Sequence, residues 1–123
     1  DIEDEPDTIK LLTIHSAKGL EFPIVFIVGV QEKLLPFDYS KKGMTKKKIE
    51  EERRLFYVAM TRAEEKLYIT HSITRTTFKG KRKNAVPSRF ISDIPLEYTK
   101  NHCDFQEESF DYNDYETADE FVI

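Results

Sequence analysis

The string His15-Ser16-Ala17-Lys18-Gly19 packs an imidazole, a hydroxyl, an ammonium and a glycine into five residues. Together these can hold a phosphate: the polar groups donate, the ammonium counters charge and the glycine lets the backbone come close. Thr13 adds a second hydroxyl just upstream, which either fills a strand position or reaches the same phosphate. Arg62 is the other chemically rich position. On spacing alone it is a cation near the end of a helical pattern, favoured by the helix C-terminus at about 0.3–1 kcal/mol. Metal and thiol chemistry find no comparable support. Cys103 has no second cysteine, which removes an intramolecular disulfide and any cysteine-rich zinc site and points to a reducing compartment. His15, His71 and His102 are too scattered to define a metal site.

Such groups need elements to position them. Ile9-Lys10-Leu11-Leu12-Thr13-Ile14 is short, β-branched and mostly apolar, which predicts a buried strand running into the loop at His15. Ile24-Val25-Phe26-Ile27-Val28-Gly29-Val30 is a continuous apolar run, which predicts a strand covered on both faces, with Pro23 able to start it but not continue it. Residues 31–48, with Pro36, Gly43 and the cations Lys41, Lys42, Lys46, Lys47 and Lys48, read as a long exposed loop. The clearest helix runs roughly from Lys47 to Ala63. Phe56, Ala59, Met60 and Ala63 fall at i, i+3, i+4 and i+7, and Glu50 and Arg54 form an i, i+4 pair on another face. Glu50, Glu51 and Glu52 near its start and Arg62 near its end agree with the helix dipole. Tyr57, by helical position, reads as packed. Lys66 to His71 predicts a third strand, residues 72–87 a basic stretch turning at Gly80, and Arg89 to Ile94 a short helix stopped by Pro95. Strand, strand, helix, strand is the alternation of an α/β sheet.

The chain has 123 residues, of which 39% are apolar and 34% charged. That length allows one domain at most. No apolar run approaches the roughly 18–20 residues that span a bilayer, and Asp1-Ile2-Glu3-Asp4-Glu5 is the opposite of a basic signal-peptide start, so a soluble, non-exported chain is expected. The net charge of −4 hides a segregation. Residues 1–7 carry five acids, and residues 101–123 carry eight and no lysine or arginine, leaving ten acids against all 19 bases in residues 8–100, a formal +9. A basic body of that size attracts a polyanion in a salt-dependent way, although it is also what a solvated surface looks like. Phe105, Phe110, Tyr112, Tyr115 and Phe121 are interleaved with the terminal acids without a period, which reads as a mobile or partner-binding tail. The expected division is an acidic segment over 1–7, a folded body over 8–100 and an acidic tail over 101–123.

Two segments are more specific than this. Thr13-Ile14-His15-Ser16-Ala17-Lys18-Gly19-Leu20-Glu21-Phe22-Pro23 resembles motif V of the superfamily 1 DNA helicases of the UvrD, Rep and PcrA type. Glu51-Glu52-Arg53-Arg54-Leu55-Phe56-Tyr57-Val58-Ala59-Met60-Thr61-Arg62-Ala63 resembles motif VI of the same family. The two occur in the family's order, and Pro87-Ser88-Arg89-Phe90-Ile91 with Ile94-Pro95 resembles the segment closing the same domain. The resemblance covers about residues 8–96.

It implies the C-terminal part of a second RecA-like domain, a parallel sheet flanked by helices. It implies that Arg62 is a catalytic arginine finger for the γ-phosphate of ATP, that Glu21 hydrogen-bonds the nucleotide ribose, and that Thr13, His15, Ser16, Lys18 and Gly19 line a single-stranded DNA track. Arg53 or Arg54 would place Arg62 or couple the two sites. The cofactors implied are ATP and Mg²⁺, held mainly by a first RecA-like domain. This chain has neither a Gly-x-x-x-x-Gly-Lys-[Ser/Thr] string nor an apolar strand ending in Asp-Glu, so alone it is expected not to hydrolyse ATP. The partners implied are single-stranded DNA or a single–double-strand junction and the remaining helicase domains, with a protein partner for the acidic tail. The setting implied is replication or repair at the nucleoid of a bacterial cytoplasm, with 3′ to 5′ translocation. Two other readings stand beside this one. One is the helicase part of a recombination helicase–nuclease, against which Ser16 argues because those relatives usually have lysine there. The other is a non-catalytic module binding DNA or protein.

Overall fold

The computed structural model describes residues 7–38, 40–77 and 79–100. β1 (Phe22–Ile27), α1 (Lys46–Met60) and β2 (Ala63–Ile69) form a β-α-β unit whose strands pair in parallel, Val25 opposite Leu67 and Ile27 opposite Ile69. The register shifts between Phe22 and Ile24. Pro23 sits at that shift, second in the strand, because it has no N–H to give the ladder. Beyond the strands the pairing continues through Thr70 N to Ile27 O and Val30 N to Thr70 O, both 2.9 Å. A second, antiparallel pair follows, β3 (Thr74–Thr76) and β4 (Arg82–Asn84). It turns through Gly80, whose φ of +77° only glycine adopts without cost. The turn matches expectation; the two flanking strands were not read in the sequence. The architecture is mixed α/β, with a small parallel sheet and, among the described residues, one α-helix.

α1 starts at Lys46 and stops at Met60, earlier at both ends than the periodicity predicts. Thr45 caps it, accepting from Lys48 N at 3.2 Å, so the first turn carries lysines, and the three glutamates fall one turn in. The dipole argument therefore fails at this end. At the other end Thr61 N donates to Tyr57 O and Arg62 lies just past the cap. The pair expected between Glu50 and Arg54 is made instead by Glu50 and Arg53. Tyr57 is 64% exposed rather than packed. The buried stripe is Glu52, Phe56 and Ala59, leaving Tyr57 a hundred degrees away on solvent.

The core joins Ile27, Val30, Leu35, Phe56, Ala59 and Phe90, with the Phe56 and Phe90 rings 5.9 Å apart. It draws on residues 31–38, which the composition marks as exposed loop: Gln31, Leu35 and Pro36 are buried. Long-range bonds pull them in. Ser72 N donates to Gln31 Oε1 at 3.0 Å, and Phe37 N to Glu52 Oε2 at 3.0 Å. Arg89 donates to Glu32 from its backbone N, Nε and Nη2. The segment expected as a helix over 89–94 is one short 3₁₀ turn, Ile91–Asp93, and a second, Leu96–Tyr98, follows Pro95.

Two sequence expectations about strands are corrected. Residues 9–14 form no strand, and Ile9 and Leu11 are both 92% exposed. An apolar run becomes a strand only beside a partner that takes its backbone groups, and among the described residues β1 pairs only with β2. The apolar run at 24–30 is covered on one face, not two. Ile27 and Val30 are buried, whereas Ile24, Phe26 and Val28 are more than half exposed, Phe26 stacking on Tyr68 with centroids 4.5 Å apart. The acidic N-terminal segment, except Asp7, and the tail at 101–123 lie outside the described residues.

Candidate functional site

The turn at residues 14–19 is built by its own side chains. Ala17 N donates to Thr13 O at 3.1 Å and Leu20 N to Ala17 O at 3.0 Å. Thr13 and Ser16 then close on each other: Thr13 N donates to Ser16 Oγ at 3.0 Å and Ser16 N to Thr13 Oγ1 at 3.1 Å. Their hydroxyls also bond, Thr13 Oγ1 to Ser16 Oγ at 2.8 Å, while Ser16 Oγ donates to Thr13 O at 3.0 Å. This is the reciprocity of a capping box with serine in the place of glutamate. Thr13 thus neither fills a strand nor stands free for a ligand. Gly19, at φ +81°, ends the turn, with open space where a Cβ would be. Of the residues expected to meet a phosphate, His15 and Lys18 point into solvent, and Thr13 and Ser16 hold the loop that presents them.

Arg62 is tied to the end of that loop. Its Nη1 donates to Leu20 O at 3.0 Å, its Nε to Val58 O at 3.2 Å and its Nη2 to Thr61 Oγ1 at 3.1 Å. Its own carbonyl accepts from Phe22 N at 2.9 Å. One residue thereby holds both neighbours of Glu21, bringing the two nucleotide-site candidates together, 41 residues apart in sequence. The acceptors around Arg62 are all neutral. Other cations differ: Arg89 is bonded to Glu32, Arg53 to Glu50 and Asp93, and Lys48 to Glu52 at 3.4 Å. Among the described residues no carboxylate balances Arg62. Its positive charge is half-buried, positioned by three bonds and uncompensated, the condition that suits a phosphate oxygen.

A cleft of about 330 Å³ opens between the 14–19 turn and α1. His15 and Lys18 line it from the turn, and Lys48, Glu51 and Arg54 from the helix, over an apolar floor of Ile14, Leu55 and Val58. Arg53 lies elsewhere, 5.3 Å above the Phe90 ring, with its pKa raised by bonds to Asp93 and Glu50. It fastens the closing segment to α1 and makes no contact with Arg62. Sequence reading missed the cleft. The spacing Glu51, Arg54, Leu55, Val58 marks a helical stripe beside the buried one, but its facing wall is 40 residues away in sequence. Among the described residues no group of His, Cys, Asp and Glu could hold a metal ion, and no helix is long and apolar enough to cross a membrane.

Residues 1–74 match the family described as UvrD-like helicase C-terminal domain. Among curated proteins, the chain is similar to the ATP-dependent DNA helicase PcrA of Staphylococcus aureus, 51% identical over 102 residues. It is likewise 51% identical over 102 residues to the ATP-dependent DNA helicase PcrA of Staphylococcus epidermidis. In both cases the match covers 80% of this chain and 14% of the relative's length.

Proposed function

Because the chain belongs to the UvrD-like helicase C-terminal domain family, we propose that it is the closing part of the second RecA-like domain of an ATP-dependent DNA helicase that moves 3′ to 5′ on single-stranded DNA. Residues 8–100 would be the working body. The observation that carries this is the uncompensated guanidinium of Arg62, bonded to the carbonyl of Leu20 beside Glu21. A planar donor fork held among neutral acceptors has its charge free for a polyphosphate whose own charge grows in the transition state.

ATP with Mg²⁺ supplies the scissile phosphoryl group, held mainly by residues of the first RecA-like domain. This chain's part is to offer Arg62 to the γ-phosphate side and the Glu21 carboxylate as acceptor for a ribose hydroxyl. His15, Lys18 and Gly19 would meet strand phosphates, with Thr13 and Ser16 shaping the turn that carries them. Leu20 joins the two ends of this assembly, so a shift at Arg62 is passed directly to the turn. The setting that fits is DNA repair or replication in a bacterial cytoplasm, beside the remaining domains of the same polypeptide. The acidic residues at 101–123 suit a protein partner.

The test is DNA-stimulated ATP hydrolysis by the full-length protein carrying this segment, wild type beside Arg62→Ala, with ATP binding measured in both. The expected outcome is a loss of about two or more decades in turnover with ATP binding retained, in line with the roughly 10³–10⁵ that such arginines contribute elsewhere. Unchanged turnover would sink the finger assignment and leave the binding-module reading.

A further inference from the structure

We propose that the cleft between the 14–19 turn and α1 is an additional phosphate site for single-stranded nucleic acid, with Arg54 as its helix-side ligand. This rests on the reading of the turn as part of a DNA track and extends that track onto α1. The charges lining the cleft make the case. Lys48, though exposed, is balanced by the buried Glu52, and Glu52 also accepts from Phe37 N, so that pair is satisfied within the protein. Arg54 is not. Its expected partner, Glu50, is taken by Arg53, which also reaches Asp93, and among the described residues Arg54 makes no ion pair. Lys18 and Arg54 thus share the cleft with one unspent acid, Glu51, and with the His15 ring.

The floor of Ile14, Leu55 and Val58 adds the other half of a nucleotide's requirements. A phosphodiester presents charge on one side and a sugar on the other, so cations at the rim above an apolar floor receive both without a desolvated unpaired charge. The contact would be to the backbone and indifferent to base. Arginine suits the position because its fork takes two phosphate oxygens at once.

The experiment is oligonucleotide binding by the full-length protein, followed by fluorescence anisotropy from 50 to 200 mM salt, for wild type, Lys18→Ala, Arg54→Ala and Arg54→Lys. Each phosphate contact to a single strand contributes about 0.7 to the salt slope, so across this range one contact is worth about 2.6-fold in the fall of affinity. Arg54→Ala is expected to weaken binding several-fold at 50 mM and to flatten the slope by about 0.7, while Arg54→Lys keeps the slope and loses part of the affinity. Weakening by Lys18→Ala with none by Arg54→Ala overturns the cleft site and leaves the track intact. No effect from either overturns the track and the cleft with it.

Discussion

β1 has one face finished and one face open, and both come from the same uninterrupted apolar run. On the finished side Ile27 and Val30 meet Phe56, Ala59, Leu35 and Phe90. Four polar fastenings brace that side: Phe37 N to Glu52, Arg89 to Glu32, Ser72 N to Gln31 and Arg53 to Asp93. On the open side Ile24, Phe26 and Val28 face outward, with Tyr68 as the only described aromatic stacked on them. The difference teaches that apolar side chains alone do not define an interior. What closes the first face is a set of directional bonds that bring residues 31–38 and 87–94 onto it, and no described segment does the same for the second.

This contrast is open to attack by substitution. Phe90→Ala, at 1% exposure in the centre of the finished side, should cost about 3–5 kcal/mol, read as a large drop in the urea midpoint. A cost under one kcal/mol would mean that the closing segment is not part of the fold. Glu52→Ala removes the carboxylate that accepts from Phe37 N and pairs with Lys48, and should cost about 1–3 kcal/mol, with the 31–38 segment losing amide-exchange protection first. Asp93→Asn removes one exposed bridge of Arg53 and should cost no more than about 1 kcal/mol. Phe26→Ser on the open side should stay within about 0.5 kcal/mol; a large loss there would show that the face is covered after all.

The smallest effect expected is in acid. The carboxyl of Asp38 is held below its ordinary range, first by the Ser40 backbone N–H and then by the Ser40 hydroxyl, Lys33 and Arg89. A depressed carboxylate contributes stability that is complete above its unfolded pKa and is lost as pH falls through the folded one. Asp38→Asn should therefore lower stability slightly at neutral pH and flatten the acid limb, the two profiles converging below the folded pKa.

The legible parts of the sequence were those set by local spacing or by a matched motif. The repeat of Phe56, Ala59 and Met60 gave the helix, Gly80 its turn, and the matched strings singled out Arg62 and Glu21, whose neighbours Leu20 and Phe22 are the ones bonded to Arg62. The parts that misled depended on distant partners. Ile9 to Ile14 has a strand's composition and no ladder to join. Gln31, Leu35 and Pro36 sit among lysines and loop formers and are buried where Ser72 N bonds Gln31, Leu35 joins the cluster of Phe90, and Glu52 accepts from Phe37 N next to Pro36. Arg54 was assigned to Glu50 by spacing, and Arg53 took that partner because Asp93 draws it to the same side. Thr13 and Ser16 were at capping-box spacing throughout, but the pattern was obscured by reading Thr13 as the end of a strand.

The bond from Phe37 N to Glu52, together with the Thr45 cap on α1, also sets where the chain is free to change length. These two posts fix the ends of the excursion between them, whatever its number of residues. Closing a loop between fixed ends costs only about 0.6 kcal/mol more for each doubling of its length. Insertions and deletions between residues 38 and 44 should therefore leave the helix in register. That makes the stretch a natural place for descendants of this sequence to gain or shed residues, and a sensible point at which to splice in a reporter.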